Sequence, residues 1–365
     1  MTVDFHALAV PGVQQLAPYV PGKPIAELER ELGISDIVKL ASNENPLGPS
    51  PRALVAARDA LAEMTLYPDG SGYALKSALA ARFSVPMANL TLGNGSNDLL
   101  DMVARAFLGP GRRSVFAQYA FAVYPIATQA VGADAVAVPA IDFGHDLEAM
   151  AQAAQDAAVV WLANPNNPTG TWFDREAFER FMARLPGHVI VVLDEAYSEY
   201  ADDPAYPNGL DYVARFPNLV VTRTFSKAYG LAALRVGYAV SSPAIADLLN
   251  RVRQPFNVST PALAAAVAVL GDEDYLARSV ATNGAGLVQV ANGLRGLGLS
   301  FIPSIGNFIT LDCARPAAPV FEALLREGVI VRPLAGYGLP AHLRVSIGTA
   351  EENARFLAAL HKVLA

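Results

Sequence analysis

The sequence predicts an α/β fold: a large domain with a mostly parallel central sheet flanked by helices, joined to a smaller α+β domain. Three observations lead there. Between about residues 90 and 240, short apolar runs alternate with helix-forming stretches. One of those runs, Val189-Ile-Val-Val-Leu193, is β-branched without polar alternation, as a strand buried on both faces should be. Beyond about Pro261 the alternation gives way to helical stretches followed by short strands. The large domain is expected over 45–260, and the small domain over 1–44 together with 261–365.

Residues 1–44 are rich in proline and glycine and read as loop, ending in a short strand at 37–41 and the polar turn Ser42-Asn-Glu-Asn-Pro-Leu-Gly48. That turn could present Asn43 or Asn45 to a site. A helix is expected over 51–64, with Pro51 in its first turn and alanines favouring it, and a second over 73–83. A short apolar segment at 90–92 runs into Gly93-Asn-Gly-Ser-Asn-Asp98 and a helix reaching about 108. A strand feeding a glycine turn and a helix N-terminus is a ready anion site, although Ser96 or Asn97 could equally be plain caps. Strands then follow at 114–117, 135–138, 158–163, 189–193, 219–222 and 236–240. The intervening helices are expected over 121–131, 147–155 and 174–185, the last capped by Asp174. In the C-terminal part, helices over 262–270 and 272–294 precede strands near 301, 308, 329 and 342–347, and a final helix begins at about 350.

Hydrophobic residues make up 53% and charged residues 17% of the 365, ample for a large core and unlike a disordered chain. The formal charge is −7 with no basic tail, which argues against a nucleic-acid partner. Cys313 is the single cysteine, so neither an intrachain disulfide nor a thiolate metal cluster can form, and no metal is expected. No apolar run is long enough to span a bilayer and no secretory leader is evident, so a cytoplasmic location is expected.

Three loops at predicted strand C-termini carry chemistry. Asn164-Pro-Asn-Asn-Pro-Thr-Gly170 can present the Asn167 amide. Asp194-Glu-Ala-Tyr197 places a carboxylate at the end of a buried strand, where it needs a cation. Thr224-Phe-Ser-Lys-Ala-Tyr-Gly230 sets Lys227 among Phe225, Tyr229 and Leu231, where low dielectric favours the neutral, nucleophilic amine. Arg235 follows eight residues later. Together these groups suit pyridoxal phosphate: Asp194 for a protonated ring nitrogen, Asn167 and Tyr197 for a phenolate oxygen, and Lys227 for an imine with the aldehyde. Ser226, Arg235 and the amides after Gly95 suit the phosphate, and Tyr119 could stack on the ring.

With these motifs in this order, the chain resembles a fold-type I, class II pyridoxal-phosphate aminotransferase, most closely the histidinol-phosphate aminotransferase group. Thr224-Phe-Ser-Lys-Ala-Tyr-Gly-Leu-Ala-Ala233 is similar to the family's attachment signature, and Leu343-Arg-Val-Ser-Ile-Gly-Thr349 completes the set. The resemblance implies that Lys227 carries the cofactor, that Asp194 and Tyr197 assist catalysis, and that Ser96, Asn97, Tyr119, Asn167, Ser226 and Arg235 help hold the cofactor. It implies a homodimer, in which Tyr67 of Leu66-Tyr-Pro-Asp reaches the neighbouring site. It also assigns Arg344, Tyr19 and Arg332 to the substrate, beside Asn43. Ala233 and Asp98 depart from the family's usual glycine and glutamate without removing a catalytic group.

The activity implied is ping-pong transamination between histidinol phosphate and 2-oxoglutarate in histidine biosynthesis. The segment Arg332-Pro-Leu-Ala-Gly-Tyr-Gly-Leu-Pro340 resembles a subgroup that also serves aromatic amino acids, so a phenylalanine or tyrosine aminotransferase is the alternative. An amino-acid-phosphate decarboxylase or lyase on the same scaffold is a further rival. A non-catalytic cofactor-binding regulator would need a nucleic-acid-binding module that this chain lacks.

Overall fold

The computed structural model describes residues 3–19 and 21–365. The central sheet has seven strands: β1 (Leu90–Gly93), β2 (Arg113–Ala117), β3 (Asp134–Val138), β4 (Val159–Ala163), β5 (Ile190–Asp194), β6 (Leu219–Thr224) and β7 (Gly237–Ser241). Their spatial order is β1-β7-β6-β5-β4-β2-β3, parallel throughout except that β7 runs antiparallel to both β1 and β6. Side-chain alternation divides each strand between two cores. In β4, Val160 and Leu162 enter one core and Val159, Trp161 and Ala163 the other. This is why the predicted strands read as unbroken apolar runs: helices cover both faces of the sheet.

The smaller part contains an antiparallel sheet in the order Arg332–Leu334, Leu339–Ser346, Phe308–Asp312, Phe301–Ile302, packed under the helix Ala350–Leu364. The N-terminal strand Val38–Lys39 pairs in parallel with Val329–Ile330, which ties the start of the chain to its end. One expectation changes. The helix Thr260–Leu270 buries Ala262, Ala265, Ala266 and Val269 in the large core, against the helices Pro51–Ala60 and Tyr73–Phe83. Its alanine face admits close helix–helix approach, so packing assigns it to the large domain. We therefore propose a boundary near Glu273, where the long helix Glu273–Gly296 begins, rather than at 260.

Several helices were not expected. Ile25–Leu32 lies in the segment read as loop, and it buries Leu28 beside Leu325 and Ile330. Pro243–Val252 and Ala317–Arg326 were also missed. Conversely, the helix expected over 121–131 spans only Val123–Ala130, which leaves Phe121 in the preceding turn. No described helix is long and apolar enough to cross a membrane.

Candidate active site

The C-terminal ends of β2, β4, β5 and β6 open onto one cavity between the two parts of the molecule, where an open α/β sheet places its ligands. Its phosphate-sized end is built from backbone. Gly95, at φ +76°, precedes the helix Ser96–Phe107, and no side chain caps that helix. Asp98 instead turns back, accepting from the Asn94 N–H at 2.8 Å and from Asn257 Nδ2 at 2.7 Å. The first amides of the helix, with Ser96 and Asn97, therefore remain available to a ligand. Arg235 closes the cradle, donating from Nη1 to Ser226 Oγ at 3.1 Å and to the Ala232 carbonyl at 3.0 Å. A Cβ on Gly95 would lie 2.2 Å from Arg235 Nη2, and one on Gly237 would lie 2.7 Å from the Ser96 nitrogen. Both glycines are thus needed for the guanidinium, the hydroxyl and the helix terminus to converge.

Asp194 lies at the cavity floor. Its two oxygens accept from Tyr124 OH at 2.9 Å and Thr222 Oγ1 at 3.0 Å. Both donors are neutral, and burial pushes the carboxyl up to about 6. Lys227 projects into the same cavity, donates to the Ser42 carbonyl at 3.0 Å and lies 5.8 Å from the Tyr197 ring centroid. Burial, aided by Arg344, pushes its amine down to about 7. Tyr197 accepts from Asn43 Nδ2 at 2.9 Å, and burial holds its hydroxyl up at about 12. Asn43 is itself fixed by Ser346, which donates to its Oδ1 at 3.1 Å and accepts from its N–H at 2.7 Å.

Arg344, on Leu339–Ser346, is buried and meets no carboxylate. Nη2 donates to the Ala41 carbonyl at 2.8 Å and Nη1 to Asn167 Oδ1, while Nε has no hydrogen-bond partner among the described residues. Burial holds its pKa below the usual arginine value. Arg332 lies over the Tyr19 ring at 5.5 Å, and Tyr19 meets the Phe121 ring edge-on at 6.5 Å.

Twelve of the expected site residues therefore line this cavity, and two do not. Tyr119 faces Phe143 at 5.9 Å, and its carbonyl accepts from Asn166 Nδ2 at 2.9 Å. The chain leaves β2 through a turn that directs Phe121, not Tyr119, into the cavity, so Phe121 is the aromatic residue placed to stack on a bound ring. Tyr67 is 82% exposed and stacks on Phe256 at 4.7 Å, outside the cavity of its own chain. Sequence reasoning also missed Tyr124, Thr222 and Ser42. Only the strand-end position of Thr222, one residue before Arg223 in the β6 run, carried a readable signal.

A buried carboxylate held only by neutral hydroxyls, a buried guanidinium with a free Nε, an anion cradle and a near-neutral lysine together form a donor set that fits pyridoxal phosphate. In such a fit the cradle would take the phosphate, Asp194 the ring nitrogen, Asn167 and Tyr197 the ring oxygen, and Lys227 the aldehyde.

Comparison with known proteins agrees with this chemistry. Residues 35–360 match the model of the family described as aminotransferase class I and II. Histidinol-phosphate aminotransferase 2 of Pseudomonas aeruginosa is 66% identical over 99% of both chains, and that of Pseudomonas fluorescens is 64% identical over the whole of both. Among solved structures, histidinol-phosphate aminotransferase from Sinorhizobium meliloti, in complex with pyridoxal-5'-phosphate, matches at a TM-score of 0.90 and 32% identity. That match covers 97% of this chain and 96% of the other.

Proposed function

The chain belongs to the aminotransferase class I and II family, and we propose that it exchanges the amino group of histidinol phosphate with 2-oxoglutarate. Pyridoxal phosphate is its cofactor. When bound, it supplies the electron sink that stabilises negative charge on the substrate's amine-bearing carbon. The chain's own residues do the rest. Lys227, held near neutrality, is the base that accepts the proton from that carbon and the acid that returns it. Asp194 holds the positive ring nitrogen, kept in place by Tyr124 and Thr222. Tyr197 and Asn167, both lining the cavity, would hold the ring oxygen, and Phe121 would flank the ring.

The observation that carries the substrate reading is the guanidinium of Arg344, which meets no carboxylate among the described residues. A buried fork facing the cavity with Nε unsatisfied calls for an anion. The same fork can take a phosphate in one half-reaction and a carboxylate in the other. The names of the relatives, at 64–66% identity, support phosphate as the first of these. A phenylalanine or tyrosine aminotransferase is the second reading, favoured by the aromatic edge that Tyr19 and Phe121 give the substrate side.

The chain is also read as a homodimer. Tyr67 and Phe256 form an exposed aromatic pair, and Leu61, Met64 and Leu66 beside them are exposed as well. Such a patch is the kind a second copy covers. Single-turnover absorbance of the cofactor-loaded protein tests the substrate. Fast spectral conversion by histidinol phosphate with slow conversion by phenylalanine is expected. The reverse order establishes the aromatic reading, and no conversion by either overturns both.

A further inference from the structure

The strand ends that hold Asp194 hold a second, oppositely directed pair. Asp194 on β5 is in register with Thr222 on β6, and both side chains meet on the cavity side. The residue after each, Glu195 just past the end of β5 and Arg223 on β6, points to the other face, as alternation requires. There Arg223 donates to Glu195 Oε2 from Nε at 2.9 Å and from Nη2 at 2.7 Å, and the Gly209 N–H donates to Oε1 at 2.6 Å. Nη2 also donates to Asn208 Oδ1 at 2.7 Å. Glu195 has no exposed surface and Arg223 is nearly as deep. The surroundings are shaped to the pair: a Cβ on Gly209 would lie 2.8 Å from Glu195 Oε1, and the guanidinium rests over the Phe83 ring at 5.5 Å. Glu199, Tyr206, Tyr229, Tyr238, Asp211 and Arg82 are further titratable or charged groups around it.

A buried ion pair is a poor source of stability, because desolvation offsets the attraction. A strand staple could be apolar. This one puts a negative charge on the residue after Asp194 and neutralises it with a cation on the residue after Thr222. We propose that Glu195 and Arg223 are positioning residues for the reaction. As a neutral unit the pair keeps Asp194 in the electrostatic field that holds a protonated ring nitrogen, a field that either charge alone would upset. This rests on the reading of Asp194 given above.

The test separates field from mere scaffolding, because the two single changes have opposite electrostatic signs. Glu195→Gln leaves a buried cation behind Asp194, whereas Arg223→Gln leaves a buried carboxylate, the opposite charge, in the same place. Two readouts apply: the Kd of the apo-protein for pyridoxamine 5'-phosphate, which binds without attaching to Lys227, and the pH at which the visible absorbance of the cofactor-loaded protein titrates. Glu195→Gln is expected to weaken binding by about tenfold or more and to move the titration to lower pH. Arg223→Gln is expected to stay within about threefold and to move the titration upward. The double variant, with no charge on either residue, is expected to recover to within about threefold of wild type.

A scaffold alone predicts that all three weaken together with no opposite shifts, and that result overturns the proposal. So does unchanged binding in Glu195→Gln. Should Glu195→Gln not fold, the upward shift in Arg223→Gln decides, and its absence counts against the pair. Asp194→Ala serves as the control. If it binds pyridoxamine phosphate like wild type, the site reading fails and the proposal with it. If it binds weakly while Glu195→Gln is unchanged, only the proposal fails.

Discussion

Replacing Gly95 by alanine tests the phosphate cradle with one methyl group. Gly95 has φ +76° and ψ 171°, a backbone region open essentially to glycine alone, and holding alanine there costs about 1–3 kcal/mol. That strain is present with and without cofactor, so it lowers stability and cancels from affinity. The steric term does not cancel. The new Cβ would lie 2.2 Å from Arg235 Nη2 and 2.9 Å from its Cζ, so the guanidinium must leave its place. Loss of one hydrogen bond to a charged group costs about 1.5–3 kcal/mol, or roughly ten- to a hundredfold in affinity. Fluorescence titration of the apo-protein with pyridoxal phosphate and with unphosphorylated pyridoxal measures the two contributions. The phosphate ester should lose that factor, while pyridoxal, with nothing for Arg235 to hold, should bind as to wild type. Equal weakening of both ligands, or an unchanged affinity for the ester, refutes the assignment of Arg235 and the helix terminus to the phosphate.

Phe121→Ala should weaken cofactor binding by about 1–3 kcal/mol through loss of an aromatic contact, whereas Tyr119→Ala should leave it within twofold; equal effects in the same titration would restore Tyr119 to the site. Arg344→Lys keeps the charge but loses the fork, and should raise KM for both the phosphate and the carboxylate substrate, lowering kcat/KM roughly ten- to a hundredfold with a smaller change in kcat. Mixing inactive Lys227→Ala subunits with Tyr67→Ala subunits should yield hybrid dimers with one intact site and measurable turnover; if mixing restores nothing beyond the parents, Tyr67 does not serve a neighbouring site. For Lys227 the folded pKa is about 7 against roughly 10.4 unfolded, so the unfolded chain binds the extra proton between those values and stability rises with pH across that window. Apo Lys227→Met should therefore be more stable than apo wild type at pH 6 by a few kcal/mol (~1.36 per pKa unit is the upper bound), with the gap closing toward pH 10; a gap independent of pH in urea titrations refutes this.

How much of this was legible in the sequence depends on where each contact lies along the chain. Lys227, Asp194, Asn167 and Arg235 sit in short motifs at the ends of strands whose apolar runs are unmistakable, so both residue and placement could be read. Tyr124 could not be read, because its function is a bond to Asp194 across 70 residues of chain, made only when β2 and β5 lie two strands apart in one sheet. The choice between Tyr119 and Phe121 turns on the path of a five-residue connection, which neither propensity nor periodicity fixes.

The missed helices are a different case. Pro243–Val252 has Ser242 before a first-turn proline and buries Ile245, Ala246 and Leu249, while Ala317–Arg326 buries Val320, Leu324 and Leu325. Both carry the helical spacing in plain view. Ile25–Leu32 was hidden by the prolines and glycines around it. Its single buried residue, Leu28, packs in a small cluster whose other members include Leu325 and Ile330, about 300 positions away.

The electrostatics of the cavity show what the fold gives up to hold its ligand. Asp194 and Lys227 share one cavity and carry opposite charges, so a chain selected only for stability would pair them. It does not. Asp194's oxygens are occupied by two hydroxyls, and Lys227 is held away by the Ser42 carbonyl. Arg344 is treated alike, tied to the Ala41 carbonyl and the Asn167 amide oxygen rather than to a carboxylate. Each group is thus fixed in position by a neutral partner that leaves its charge uncompensated. Burial, which no opposite charge offsets, moves all three pKa values toward the neutral form: Asp194 up, Lys227 and Arg344 down. Had these groups paired internally, a ligand would first have to break those pairs, and much of its binding energy would be lost. Because they do not, a ligand with a positive ring nitrogen, a reactive carbonyl and an anionic tail meets groups already oriented and unpaired, and binding relieves the same burial penalties that destabilise the empty protein.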